Sequence, residues 1–269
     1  METRLSIPRV DTHFHIFEAS KAMVGARYVP AYTASLDRWR SLAGHEGITH
    51  GVLVQPSFLG TDNQQMLNAL AAHRGCLLGI AVVEPTISLQ AMRQMQRMGV
   101  RGIRLNLVGH DHRVDEWIQN TSFWDRMTVL DWHLQIHTDP GRLPDVLPQI
   151  PKGIRVVIDH MAKPLRATSS DPTLKLLSRL GADRVMVKLS GAYRQAGLDA
   201  EKLTQVLLGE LGPTALMWGS DWPCTNHEDC ADYSQLRKNL DQWVGAAWVE
   251  QILSLNPMRL YWGTQDITP

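Results

Sequence analysis

Eight short apolar runs, rich in β-branched residues, recur along the chain, and the segments between them carry helical spacing. The runs are VDTHFHIF (10–17), HGVLVQPS (50–57), LLGIAVVE (77–84), RGIRLNLV (101–108), WHLQIHT (132–138), IRVVIDHM (154–161), RVMVKLSG (184–191) and ALMWGSD (215–221). Helical segments lie at 62–73, 89–99, 171–181 and 200–212, among others. Asp62 and Ser170/Asp171 stand where helix starts are expected, and Gly99, Gly181 and Gly212 where helices should end. A doubly wound open sheet shares this alternation over part of its length, but eight strand-then-helix units select a TIM (β/α)8 barrel. At 269 residues and 44% hydrophobic, with no low-complexity or linker-like tract, the chain is expected to form one such domain over 1–269.

Charge and leader signals narrow the partners. Lys plus Arg (27) equals Asp plus Glu (27), so no net field attracts nucleic acid or an anionic membrane, and a small molecule is the expected partner. The opening METRLSIPRV lacks the basic and apolar regions of a signal peptide, and no apolar run reaches about 18 residues. A cytoplasmic protein is expected. Three cysteines, Cys76, Cys224 and Cys230, form no C-x-x-C pair, and disulfides are not expected.

In a (β/α)8 barrel the reacting groups stand at the carboxyl ends of strands. Strand alternation puts Asp11, His13 and His15 on one face, expected to point into the barrel. His137 ends the fifth strand, His160 the sixth and Asp221 the eighth. Taken singly, each has a bland reading: a core histidine, a turn device at Asp159–His160, a turn or cap at Asp221 before Trp-Pro. Together, four histidines and an aspartate at four strand ends make a set that can hold Zn²⁺, or position a water and a carbonyl without metal. No phosphate-loop motif occurs, the tryptophans read as packing residues, and Cys224 has no adjacent base to make it a nucleophile.

The segments DTHFH, IDHMAKP, VKLSGAYR, WGSDWP and NPMRLYWG, in this order from residue 10 to about 263, resemble the amidohydrolase-2 branch of the amidohydrolase superfamily. More narrowly they resemble its 2-pyrone-4,6-dicarboxylate lactonases and related sugar lactonases. The resemblance implies a distorted (β/α)8 barrel that hydrolyses a carboxylate-bearing lactone. It casts Asp221 as the base that activates water, with His13, His15 and His160 lining the site and polarising the carbonyl. It assigns substrate contact to Arg104, Arg194, Tyr32, Ser57 and Asn226. A guanidinium fork suits a carboxylate, so the two arginines are the stronger assignments. The alternatives are a barrel-core ion pair for Arg104, a solvated loop cation for Arg194, and capping or packing for the other three.

Two departures from the lactonase pattern stand out. The basic residue expected shortly after the fourth strand is missing, since LVGHDHR offers only Arg113. His137 is an additional histidine, and it completes a mononuclear set with His13, His15 and Asp221 that resembles that of zinc-dependent members. The expected cofactor is therefore one divalent ion, Zn²⁺ foremost, or none. A zinc-dependent decarboxylase or another amidohydrolase acting on a small carboxylic acid, with His160 as acid/base, is the rival enzyme. A barrel that binds an acid without turning it over is the rival outside catalysis.

Overall fold

A computed structural model describes residues 7–263. Eight parallel strands lie in sequence order: β1 (Val10–Phe14), β2 (His50–Val54), β3 (Leu77–Ala81), β4 (Val100–Asn106), β5 (His133–His137), β6 (Val156–Ile158), β7 (Val185–Leu189) and β8 (Leu216–Trp218). The outer helices are α1 (Leu36–His45), α2 (Gln64–Ala72), α3 (Leu89–Met98), α4 (Asp115–Gln119), α5 (Thr121–Val129), α6 (Leu143–Val146), α7 (Pro172–Leu180), α8 (Ala200–Leu211), α9 (Tyr233–Val244) and α10 (Ala246–Glu250). This is the single-domain TIM (β/α)8 barrel that the eightfold alternation predicts. Capping matches the sequence signals: Asp171 accepts from Thr173 N at the start of α7, and Gly99 ends α3 at φ 111°. No helix of the described residues is long and apolar enough to cross a membrane.

The first strand departs from simple alternation. Its pairing with β2 shifts register between Asp11 and Phe14. An extra residue in a strand reverses the facing of everything beyond it. Asp11 therefore does not share a face with His13 and His15, which corrects the sequence expectation. It turns outward beneath the helices, where Trp39 Nε1 (3.0 Å), Tyr233 OH (3.1 Å) and Ser220 Oγ (2.6 Å) donate to its Oδ2. Ser220 N also donates to Oδ1, at 2.9 Å. Asp11 thus ties the start of the chain to the residues after β8. Further bonds close this seam: Thr12 Oγ1 to Trp218 O (2.6 Å), Asp221 N to His13 O (2.8 Å) and His15 N to Trp222 O (2.8 Å). Gly219 permits the approach, because a Cβ there would meet His13 Cβ at 2.7 Å.

The barrel interior grades from apolar to ionic. Val10, Val52, Leu78, Val157, Met186 and Met217 pack with Met258 and Tyr261 in one buried cluster. The latter two come from the helical segment after α10, which widens into π turns at Gln251–Leu255 and Met258–Trp262 and plugs the amino-terminal end. Above this plug the inward positions are polar: Arg104, Gln135, Lys188 and Asp159 are all buried and bonded to one another. One polar group sits in the plug layer itself. His133, packed against Tyr261 with its Nε2 unpartnered, is pushed down from 6.5 to about 3, first by burial and then by Lys188.

That shift has a thermodynamic consequence with a definite sign. Below its ordinary value of 6.5 the unfolded chain protonates His133, whereas the folded chain resists protonation down to about 3. The stability it contributes is complete above the unfolded value and is lost as pH falls toward the folded one. Replacing His133 by Leu should make unfolding free energy less steep in pH, by about one proton between roughly pH 6 and 4.5. Urea unfolding across that range measures the slope; a slope equal to wild type would contradict the assignment.

Candidate active site

Strand ends deliver the polar groups, and strained backbone aims several of them. Beyond β6 four consecutive residues, His160, Met161, Ala162 and Lys163, have φ of 51°, 56°, 62° and 43°. A left-handed turn of non-glycine residues costs about 1–2 kcal/mol per residue. It is held by Gln195 Nε2, which donates to His160 O at 3.0 Å, and by Gly141 N, which donates to Lys163 O at 2.8 Å. Gly191 makes room for it, since a Cβ there would meet His160 Nδ1 at 2.7 Å. Asp221 and Asn226 also have positive φ, 59° and 67°. Such strain concentrates where side chains are held for chemistry.

Three imidazoles surround one carboxylate oxygen. Asp221 Oδ1 lies 3.6 Å from His13 Nε2, 3.5 Å from His15 Nε2 and 3.9 Å from His160 Nε2. Outer partners fix the rings. His15 Nδ1 is 2.7 Å from Val54 O, and because a carbonyl only accepts, Nδ1 carries the proton and Nε2 is bare. His13 Nδ1 lies 3.1 Å from Asp159 Oδ1, and because a carboxylate only accepts, this contact favours the proton on Nδ1 and a bare Nε2 on His13 as well. His160 Nδ1 is 3.0 Å from Ser190 Oγ, a hydroxyl that can donate or accept.

Two bare imidazole nitrogens 3.3 Å apart, facing a carboxylate, form a concentration of lone pairs that favours a proton or a cation between them. The donor set fits a metal ion. A tetrahedral zinc site with bonds of about 2.0–2.1 Å brings its ligand atoms to about 3.3–3.4 Å from one another, close to the spacing of His13, His15 and Asp221. The carboxylate behind His13 is the outer partner expected of a metal-binding histidine. His137 does not join this set, contrary to expectation. It groups with Asp159 and His160, while its Nδ1 and Nε2 lie 3.5 Å from Arg104 Nη2 and Lys163 Nζ. A ring whose nitrogens both face cationic side chains is a poor ligand for a further cation.

Charges behind the centre set protonation. Burial works to raise the Asp221 carboxyl, but the facing His160 ring and the Arg194 guanidinium outweigh it and hold it well below the ordinary carboxylate range. Both Arg194 Nε (2.8 Å) and Tyr193 OH (2.7 Å) donate to Asp221 Oδ2, which leaves Oδ1 to the centre. Burial pushes His13 down to about 3 and His137 and His160 well below 6.5. Cys224, raised to about 12 by burial, remains a thiol.

A cavity of about 300 Å³ opens on this centre. His15, Arg104, His137, His160, Arg194 and Asp221 line it, as do Ser57 and Asn226. Tyr32 does not: its hydroxyl donates to Glu228 Oε1 at 2.6 Å, and the lining tyrosine is Tyr28. Arg104 combines two readings, since its Nε donates to Asp159 Oδ2 at 3.1 Å, as a core ion pair would, while the side chain also reaches the cavity wall. Arg194 is no solvated cation, being ion-paired to Asp221. Arg113 pairs with Asp115 at the surface, and the further cation of the cavity is Arg27, from the loop after β1, which donates to Val108 O. Arg27 and Tyr28 lie in an irregular loop and Tyr193 in the short 3₁₀ turn Ala192–Arg194, where no periodicity points to them, and the sequence offers Asp159 only as a turn residue.

Comparison with known proteins places this geometry among relatives. The amidohydrolase family model matches residues 10–262. A 2-pyrone-4,6-dicarboxylate hydrolase of Comamonas testosteroni is 28% identical over 96% of this chain and 92% of its own. A 4-sulfomuconolactone hydrolase of Rhizobium radiobacter is 29% identical over 93% of this chain and 89% of its own. Among solved structures, a probable 2-pyrone-4,6-dicarboxylic acid hydrolase of Acinetobacter baumannii with citric acid bound superposes with TM-score 0.85. It is 32% identical and covers 95% of this chain and 99% of that one.

Proposed function

The chain belongs to the amidohydrolase family, and we propose that it opens the ring of a small carboxylate-bearing lactone, using water deprotonated by Asp221. The observation that carries this reading is the convergence of three imidazole Nε2 atoms within 3.9 Å of Asp221 Oδ1, in a cavity that also presents three guanidiniums. Among the described residues Asp221 is the only carboxylate in that lining, against Arg27, Arg104 and Arg194, so an anionic substrate is favoured. The lactone hydrolase relatives support the same class.

The steps follow from the partners of each group. Tyr193 and Arg194 hold Oδ2, so Asp221 receives the water proton on Oδ1. Ser190 can donate to His160 Nδ1, which leaves His160 Nε2 able to carry a proton toward the carbonyl oxygen as charge develops there. Asp221 then returns its proton to the departing ring oxygen, leaving a carboxylic acid and an alcohol or enol. Arg194 and Arg104 orient the substrate carboxylate, with Ser57, Asn226 and Tyr28 on the walls. His13, His15 and Asp221 would hold a divalent ion, which when bound supplies Lewis-acid polarisation of the carbonyl and a more acidic water.

A pH-indicator screen of pyrone, muconolactone and sugar lactones bearing carboxylates, run with chelator and with added Zn²⁺, tests the proposal. Acid release from at least one of them is expected. No release under either condition would overturn it; loss of carbon dioxide from a carboxylic acid under zinc would establish the decarboxylase instead.

A further inference from the structure

The barrel core beneath the histidines contains a basic side chain that the reaction described above does not use. Lys188, on β7, is fully buried. Burying an amine is unfavourable unless its donors are met, and an apolar side chain of similar volume is often equally or more stabilising in such a place. Here the donors are met by atoms that bear on His13. Lys188 Nζ donates to Thr12 O at 2.6 Å and to Gln135 Oε1 at 2.7 Å, and lies 4.0 Å from Asp159 Oδ1.

We propose that Lys188 is a positioning residue that sets the orientation of His13 by two routes from below the site. One route is the main chain. Thr12 precedes His13 within the register shift of β1, and with its carbonyl held by Lys188 and its hydroxyl bonded to Trp218 O the strand enters the site in one conformation. The other route runs through two side chains. With Lys188 Nζ donating to both Thr12 O and the Gln135 oxygen, the Gln135 amide nitrogen is directed at Asp159 Oδ2, 3.2 Å away. Arg104 Nε reaches the same oxygen at 3.1 Å. With Oδ2 held by these two donors, Oδ1 faces His13 Nδ1 and keeps its proton there, so Nε2 presents a bare lone pair to the centre.

The inference rests on His13 serving the proposed reaction, and the test therefore includes a readout that needs no turnover. In Lys188→Met, kcat on a lactone found in the screen should fall about tenfold or more with KM within about twofold, because the residue touches no substrate. Asp159→Asn with Lys188→Met should lose less than the product of the two single losses, because the two residues share the route through Gln135 while the main-chain route through Thr12 does not depend on Asp159. On metal-free protein, long-range ¹H–¹⁵N correlation of the imidazoles should show His13, assigned with His13→Asn, protonated at Nδ1 in the wild type and mixed or shifted in Lys188→Met. If Lys188→Met does not fold, Gln135→Leu, which leaves the lysine and its bond to Thr12 in place, provides both readouts. A folded variant with wild-type kcat and an unmoved His13 signal would overturn the proposal. A wild type that opens no lactone while the His13 signal still moves would count against the reaction and support the positioning role.

Discussion

Replacing Asp221 by Asn should lower kcat by at least about a thousandfold while the protein stays folded and still binds the lactone. The surroundings predict how the amide will sit. Arg194 Nε and Tyr193 OH can only donate toward Oδ2 in the arrangement seen, so the amide oxygen takes that place and the NH₂ group turns to the bare Nε2 atoms of His13 and His15. Packing and local hydrogen bonding are preserved, and the melting temperature should stay within a few degrees. What is lost is the Asp221 carboxylate of the cavity lining, and with it the acceptor for the water proton. Calorimetric titration of the variant with the substrate separates binding from turnover. A folded variant that retains more than about a tenth of wild-type kcat would remove Asp221 from the role of base.

How much of this was legible in the sequence depended on whether periodicity reached the residue. Strand and helix periods gave the barrel, because eight apolar runs with helical segments between them leave few other ways to bury both strand faces. Strand-end position gave His13, His15, His160 and Asp221, and the structure brings these together. The same reasoning failed at Asp11, where a one-residue register shift reversed the face, since the two-residue repeat in the sequence is silent about bulges. It also failed for the ligand grouping of His137. Standing at a strand end says nothing of neighbours, and those neighbours are Arg104 and Lys163, the latter delivered by a left-handed turn that nothing in IDHMAKP announces.

Loops were the least legible part. The tyrosine of the first loop was read at Tyr32, whereas the structure puts Tyr28 on the cavity, because the path from residue 18 to 34 is set by contacts such as Phe17 with Ala34 and Met23 with Phe58. The further cation of the cavity, absent after β4, is Arg27 of that same first loop. Its guanidinium reaches across to Val108 O, a contact between positions 81 residues apart that no local pattern encodes. Asp159 was underestimated for another reason: its partners, His13, Arg104 and Gln135, lie on three other strands, and only the closed barrel brings them around it.

Replacement of Arg194 is the second change expected to have a large effect, and its signature should differ from that of Asp221. The guanidinium has two duties in the structure. Nε holds Asp221 Oδ2 at 2.8 Å, and Nη2 donates to Thr225 O at 3.1 Å, while the side chain remains 20% exposed toward the cavity. A substrate carboxylate arriving there shares the guanidinium with Asp221. The Asp221 carboxyl, held low in part by Arg194, then becomes more basic when substrate is bound. Arg194→Met should remove both the anchor and this control. Each charge-assisted bond is worth about 1.5–3 kcal/mol, so the loss should raise KM by about 10- to 100-fold and lower kcat/KM by about 100-fold or more. Arg194→Lys should recover little, because one ammonium on a flexible stem cannot span Asp221, Thr225 and a carboxylate as the planar fork does. The pH profile supplies the sign. With Arg194 gone, the carboxyl of free Asp221 rises, so the acid limb of kcat/KM should move to higher pH. An unchanged KM for Arg194→Met would remove the arginine from substrate binding, and an unmoved acid limb would show that it does not govern Asp221.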